Sequence, residues 1–490
     1  MLKCPNQKKK TMSDGGKIKT VLTYSLENIG SDKLYEYLYK RIKKDIEDKH
    51  LAADDKLPSK REFAKNLGVS IITVETAYSQ LMAEGYIYSV DRKGFFVAKI
   101  EDKMPQNKER KKKCNITHKN KREYFADFVT NTVSVDDFPF STWMKLLKEM
   151  TMDTDKSSLL LASSVSGVKE LREAIASHLY NFRGMEVEPE QIIIGAGTEY
   201  LYSVMVKLLG RDMTFGIENP GYKRISQIYK SNGVKVEYID MDAEGVVPHK
   251  VEKSCVDVLH ISPSHHYPTG IVMPIGRRYE LLGWAAKDEK RYIIEDDYDC
   301  EFRLYGKTVP ALQSVDRMDK VIYVNTFSKS LAPTFRISYM VLPVPLVEEY
   351  YDKLGFYSCT VSAFEQYTLA RFITEGYFER HINRMRNHYR NQRDIIVSAI
   401  KKNGLSDWVE IKNADEGLHM VLEIKKNISD ELLKTKALAN NINIACLSEY
   451  YQNHTCDRHA IILSYSGVQA DRISPALDIL FDCIKESVLE

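Results

Sequence analysis

Lys329 lies in Thr326-Phe327-Ser328-Lys329-Ser330-Leu331-Ala332-Pro333-Thr334-Phe335-Arg336, directly after the apolar run Val321 to Val324. A buriable strand thus delivers one lysine, one hydroxyl three residues before it and one arginine seven residues after it. A lysine in a partly dry pocket loses its proton more easily and can attack an aldehyde. The hydroxyl and the arginine can hold a phosphate dianion beside it. A surface lysine in a loop is the plain alternative, and this segment alone does not decide between the two.

Other segments add complementary groups. Tyr292-Ile293-Ile294-Glu295-Asp296-Asp297-Tyr298 is a short apolar strand ending in carboxylates. Open α/β sheets bind ligands beyond the carboxyl ends of their strands. A carboxylate there can pair with a pyridinium nitrogen, and Tyr298, on the same strand face as Asp296, can donate to a ring hydroxyl. An acidic loop or helix start is the alternative. The stretch Gln191 to Glu199, with Gly195, Gly197 and Thr198, reads as strand, turn and helix start, whose free amides suit a phosphate. Glu218-Asn219-Pro220-Gly221-Tyr222 is a turn presenting a ring able to stack. In Ser262-Pro263-Ser264-His265-His266-Tyr267-Pro268-Thr269-Gly270 the histidines are ligands or loop polars. No carboxylate stands at a zinc-site spacing from them, so no metal is expected.

The N-terminal part has a different pattern. Leu34, Leu38, Ile42 and Ile46 recur at helical spacing. Ser59 and Glu62 have capping-box spacing before a short helix ending at Gly68. Ser70 can cap a second helix with core positions Val74, Ala77, Tyr78, Leu81 and Met82. Two short helices about a glycine suggest a helix-turn-helix, and Tyr86 to Val97, turning at Gly94, reads as a β-hairpin wing. A small helical packing module is the rival on pattern alone.

In their order, the segments around Gly197, Tyr222, His266, Asp296 and Lys329 resemble the fold type I family of pyridoxal-phosphate enzymes, the aspartate aminotransferase class, from roughly Tyr124 to the C-terminus. The resemblance implies Lys329 as the Schiff-base lysine, Asp296 as the pyridine-nitrogen partner, Tyr298 as donor to the ring hydroxyl and Tyr222 as the stacking ring. It implies Gly197, Thr198, Thr326 and Arg336 as phosphate contacts. Leu57-Pro58-Ser59-Lys60-Arg61, Leu67-Gly68-Val69-Ser70, Thr73-Val74 and Ala77-Tyr78 through Glu84-Gly85-Tyr86 resemble the GntR winged helix. That resemblance implies double-stranded DNA as a partner. Ser59, Arg61, Ser70 and Thr73 would contact it mostly at phosphate, with the second helix in the major groove and Gly94 in the wing.

The fused layout is similar to the MocR/GabR subfamily of transcription regulators over nearly the whole chain. Glu295-Asp296-Asp297-Tyr298-Asp299-Cys300-Glu301-Phe302-Arg303 and Phe327-Ser328-Lys329-Ser330-Leu331-Ala332-Pro333 carry that similarity. It implies an α/β fold: a winged helix-turn-helix, then a mixed, mostly parallel sheet with helices on both faces and a smaller C-terminal subdomain. It implies pyridoxal 5'-phosphate as cofactor, an amino-compound effector sensed as an external aldimine, and a homodimer. Arg224 matches a position that can contact an effector carboxylate; a solvated helix arginine is the alternative.

The departures are specific. Tyr267 stands where the family usually has asparagine before Pro-Thr-Gly, so His266 is the expected substitute against the ring hydroxyl. Ile462 falls where α-amino-acid transaminases carry a carboxylate-binding arginine, and Arg458 lies upstream. Ile71 replaces the arginine usual after the serine that starts the DNA-reading helix. A site without a fixed bidentate cation loses much of its hold on a carboxylate. Sensing is therefore expected ahead of transamination. The alternatives are an active aminotransferase and a sensor of pyridoxal phosphate itself controlling vitamin B6 synthesis.

The 490-residue chain, 43% hydrophobic, has room for one large and one small domain. Eight scattered cysteines without a Cys-x-x-Cys and the absence of any membrane-length apolar run read as a reduced, cytoplasmic protein without membrane contact. Net charge is +2, but residues 99–122 carry 10 Lys/Arg against 3 Asp/Glu and residues 1–30 carry 6 against 2. The expected plan is a basic disordered tail (1–30), a winged helix (31–98), a basic flexible linker (99–122) and the effector domain (123–490).

Overall fold

The computed structural model describes residues 9–11, 19–26, 32–100, 122–130, 137–306, 309–402, 407–415, 417–453, 456 and 458–488. Most of the expected linker lies outside the described residues. The chain forms two compact units, Met1–Lys119 and Asn120–Glu490.

In the first unit, short strands β1 (Lys9–Thr11) and β2 (Lys19–Val21) pair antiparallel. Helices α1 (Leu34–Glu47), α2 (Lys60–Leu67) and α3 (Ile71–Ala83) follow. Ser59 accepts from the Glu62 amide and caps α2, and Gly68, at φ 67, ends it. Ser70 caps α3 through the Thr73 amide. Strands β3 (Ile87–Val90) and β4 (Gly94–Val97) form the wing. Leu38, Ile42, Phe63, Val74, Tyr78 and Leu81 make one core.

The expectation of a disordered tail up to residue 30 is corrected at residues 22–26. Leu22, Tyr24 and Leu26 pack on this core. The Tyr24 hydroxyl donates to Asp45, and Ser25 O accepts from Tyr37. Alternate apolar residues give the segment one face to bury, which its charged flanks obscure in composition.

In the second unit, β5 (Ala126–Asp127) and helices α4 (Phe140–Asp153), α5 (Lys156–Leu160) and α6 (Lys169–Arg183) precede an eight-stranded sheet. Its strands are β6 (Ile192–Gly195), β7 (Thr214–Asn219), β8 (Lys235–Asp242), β9 (Gly245–Val246), β10 (Val258–Ile261), β11 (Tyr292–Asp296), β12 (Val321–Thr326) and β13 (Ser338–Val341). The order is β6-β13-β12-β11-β10-β7-β8-β9. The run β8, β7, β10, β11, β12 is parallel, and β13 and β9 are antiparallel to their neighbours. Tyr339 and Val341 enter one core and Met340 the other, so the sheet is covered on both faces. A smaller sheet orders β14 (Val409–Lys412), β15 (His419–Ile424), β18 (Ala460–Ser464) and β17 (Ala445–Cys446). Strand β16 (Ile442–Asn443) pairs instead with β5. No helix among the described residues is long and apolar enough to cross a membrane.

Candidate functional site

Parallel strands β10, β11 and β12 end side by side, so their carboxyl ends deliver Ser262, Asp296 and Thr326 to one place. Helix α7 (Thr198–Leu209), which follows β6, and α8 (Lys223–Ser231), which follows β7, begin beside them. The result is a cavity of about 540 Å³ lined by Lys329, Asp296, Tyr298, Tyr222, Thr198, Thr326, Arg336 and Arg224, together with Glu199, Tyr202, His260, Tyr267 and Tyr450. That volume suits a cofactor-sized ligand.

The three consecutive carboxylates of β11 divide by environment. Glu295 accepts from the backbone N–H of Leu312 and Gln313. Asp297 makes a fully buried ion pair with Arg183 at 2.7 Å. Asp296 alone faces the cavity. Its Oδ2 accepts from the Tyr202 hydroxyl at 2.6 Å and lies 3.4 Å from His260 Nε2. Its Oδ1 is buried and has no hydrogen-bond partner among the described residues. A buried acceptor held on one side and open on the other is what a protonated ring nitrogen would satisfy. Burial, then Asp296, pushes the Tyr202 hydroxyl well above its ordinary pKa, so it stays a donor.

Burial lowers the pKa of Lys329, against a partial opposing effect of Asp299. Tyr298 lies 3.2 Å from His265 Nδ1, and that nitrogen is 2.9 Å from the Asp299 carboxylate. The carboxylate makes Nδ1 the protonated position, with its N–H directed to Asp299, so Nδ1 has no lone pair to accept the Tyr298 proton, which is left for the cavity. Folding has brought Asp299 against His265 and His419, a buried trio whose donor atoms lie within 4.8 Å of one another. In the sequence this carboxylate stood at no ligand spacing.

The end of the cavity at the start of α7 is shaped by backbone. Gly197 has φ 91 and precedes the first helical residue, Thr198. A Cβ there would lie 2.5 Å from Arg336 Nη2, so only glycine lets that guanidinium approach. The Thr326 hydroxyl is fixed by Ser338 Oγ and the Ser328 amide. Glu199 bridges both nearby arginines, Arg336 at 3.2 Å and Arg224 at 3.0 Å. Arg224 also lies over the Tyr222 ring, 5.7 Å from its centroid.

Two expectations are corrected. His266 does not line the cavity. Its Nδ1 is 2.7 Å from the Thr269 hydroxyl and its Nε2, which has no hydrogen-bond partner among the described residues, is 3.4 Å from Glu218, so the buried ring lies between its own turn and β7. Tyr267 lines the cavity in its stead and bonds the Tyr450 hydroxyl at 2.7 Å. Arg458 does not reach either. It pairs with Glu423 on β15 at 3.1 Å. Ile462 is buried with Val421, Leu447 and Ala460, so the side chain at this position is part of an apolar cluster.

Sequence reasoning missed Tyr202, His260, Glu199 and Tyr450. Tyr202 is one helical turn beyond Thr198, a spacing that was readable. His260 and Tyr450 come from other elements and gave no local signal.

In the first unit, Ser59 and Ser70 sit at the starts of α2 and α3, and Arg61 is exposed on α2. The Ser70 and Thr73 hydroxyls are 2.8 Å apart. Gly94, at φ 111, opens β4 after the exposed wing-tip residues Arg92 and Lys93, which the sequence reading did not select.

Known proteins agree with this geometry. Residues 34–97 match the family described as bacterial regulatory proteins, gntR family, and residues 127–461 match aminotransferase class I and II. The chain is 38% identical over 90% of its length, and 94% of the relative, to the HTH-type transcriptional regulator YdeL of Bacillus subtilis. It is 30% identical to the probable rhizopine catabolism regulatory protein MocR of Rhizobium meliloti, over 91% and 93% of the two chains. An archaeal alanine:glyoxylate aminotransferase shares the fold at TM-score 0.66 and 22% identity, over 75% of this chain and 92% of that one. The chain belongs to the MocR-type transcription regulators, a gntR-family DNA-binding domain fused to a class I and II aminotransferase domain.

Proposed function

We propose that this transcription regulator holds pyridoxal 5'-phosphate at Lys329 and uses it to sense an amino-compound effector. The observation that carries the reading is one cavity shared by Lys329, Tyr298, Arg336 and an Asp296 with an open buried oxygen. When bound, the cofactor supplies an aldehyde that captures a primary amine. Burial disfavours the Lys329 ammonium, which makes its amine form easier to reach. Asp296 holds a proton at the ring nitrogen, Tyr298 donates at the ring hydroxyl, and Tyr222 covers the ring face. Arg336, Thr198, Thr326 and the amide at Gly197 hold the phosphate.

Sensing is favoured over turnover by the carboxylate end. Ile462 is apolar and Arg458 is engaged elsewhere, so a substrate α-carboxylate finds no bidentate clamp there. Arg224 is the cation at the cavity mouth, and it is the proposed contact for an effector acid group. The proposed working form is a cytoplasmic homodimer on double-stranded DNA. Ser59, Arg61, Ser70 and Thr73 are its proposed DNA contacts, with Gly94 shaping the wing.

The test is the visible spectrum of full-length protein with pyridoxal phosphate, wild type beside Lys329→Ala, titrated with amines. A Lys329-dependent visible band that one amine shifts and that then persists is expected. Its conversion to a short-wavelength band would mean completed transamination. No Lys329-dependent band would refute the reading.

A further inference from the structure

Helix α3 is the element that the winged helix presents to the major groove, and its outward face is unusual for that task. It contains no lysine or arginine. Its one charged side chain, Glu75, is paired with Lys60 of α2 at 2.6 Å. Its first two residues, Ile71 and Ile72, are 47% and 73% exposed. One turn on, Thr76 donates its hydroxyl proton back to Ile72 O, which leaves it a methyl and an acceptor oxygen but no donor to offer. The capping serine and Thr73 are bonded to each other.

Base reading from such a face has few options. Guanine is usually read by a bidentate arginine or lysine at O6 and N7, and adenine by asparagine or glutamine. None of these stands in the first two turns of α3. Glutamate could accept from cytosine and threonine could bond either base, but Glu75 is paired with Lys60, and Thr73 and Thr76 are bonded within the helix. The groups left most open are apolar, and in the major groove the apolar feature is the C5-methyl of thymine. The cations that neutralise phosphate lie beside the helix, not on it: Arg61 and Lys65 on α2, Arg92 and Lys93 at the wing tip. This separates the positioning groups from the reading groups, with basic residues flanking an apolar patch.

We infer that Ile71 and Ile72 read thymine methyl groups, so that A·T pairs, not G·C pairs, anchor each half-site under α3. The inference rests on the DNA-binding role of the winged helix and adds what it reads. The isoleucines are specificity determinants, and the exposed start of α3 is explained by its occupant.

The experiment begins with full-length protein selecting from a random duplex pool. Each thymine of the enriched site is then replaced by deoxyuridine, which removes one methyl and keeps pairing and charge. Loss of one buried methyl corresponds to roughly fourfold in Kd. About that loss is expected at one or more thymines per half-site for the wild type. It should be absent at the corresponding thymine for Ile71→Ala or Ile72→Ala, both of which should keep the wild-type melting temperature because the residues are exposed. Ile71→Arg should enrich guanine at its position. Deoxyuridine tolerated at every position, or an enriched site unchanged by both alanine variants, would overturn the inference while leaving DNA binding intact. An alanine variant that alters self-association and leaves DNA affinity alone would overturn it as well. Failure to enrich any sequence would overturn both this inference and the sequence-specific DNA binding beneath it.

Discussion

Glu199 offers the sharpest test of the proposed phosphate end. Its carboxylate accepts from Arg336 at 3.2 Å and Arg224 at 3.0 Å, so an internal anion occupies the cations that a phosphate and an effector acid would use. Glu199→Gln removes that charge and keeps the shape. Both pairs are solvent-exposed, with side chains about half accessible, and an exposed pair of this kind is worth roughly 0.2–1 kcal/mol. A dianion about 5 Å from a carboxylate in water-like screening is also repelled by roughly 1.5 kcal/mol. Freeing Arg336 and removing this repulsion should together strengthen pyridoxal phosphate binding by about 1.7–2.5 kcal/mol, or roughly 20- to 70-fold in Kd.

The assay is a titration of full-length protein with pyridoxal phosphate, followed by absorbance at low salt and again at about 1 M salt, where the screening length falls to ~3 Å. The gain should be large at low salt and mostly gone at high salt. Stability should move the other way. Glu199 lies in the first turn of α7, where a carboxylate favours the helix by about 0.3–1 kcal/mol, so the cofactor-free variant should melt slightly earlier. Unchanged or weaker cofactor binding at low salt would refute the reasoning. A gain that persists at high salt would show that it is not electrostatic.

Gly197→Ala should weaken pyridoxal phosphate binding by at least about tenfold. A Cβ at φ 91 costs about 1–3 kcal/mol and displaces Arg336, and the same titration measures it. Glu218 has its pKa raised from 4.5 to about 8 by burial, so the folded state holds a proton that the unfolded state releases between those values. Stability therefore falls as pH rises through that window. Glu218→Gln keeps the acceptor for the Ser262 amide and should flatten the fall: melting curves should match wild type near pH 4 and exceed it at pH 8.

The groups that were legible in the sequence are those that a single strand end positions. Lys329 follows β12, and Asp296 closes β11, so an apolar run followed by a polar residue was enough to locate them. The winged helix was legible for a similar reason: Ser59, Gly68 and Ser70 act within their own helix ends. Groups that act across elements were not. His260 reaches Asp296 from the neighbouring strand, and nothing in the order of residues says that β10 and β11 are adjacent. The segment 22–26 was hidden among charges, because its three apolar contacts are few beside the lysines around them.

His266 and Arg458 failed for one shared reason: the nearest suitable side chain in sequence had a closer partner in space. Thr269 of its own turn and Glu218 of β7 flank the His266 ring, and the register that sets Ala460 opposite Glu423 also brings Arg458 to that carboxylate. Replacement by a chemically similar neighbour is therefore a poor guide when a family residue is missing. The neighbouring backbone fixes a direction, and a residue displaced by one or four positions points elsewhere. Among the described residues no cation takes the position of Ile462 itself. That position is absorbed by an apolar cluster beneath Tyr267 and Tyr450. The aromatic wall that stands there offers no guanidinium for an α-carboxylate, which on the proposed reading leaves an effector's acid group to Arg224.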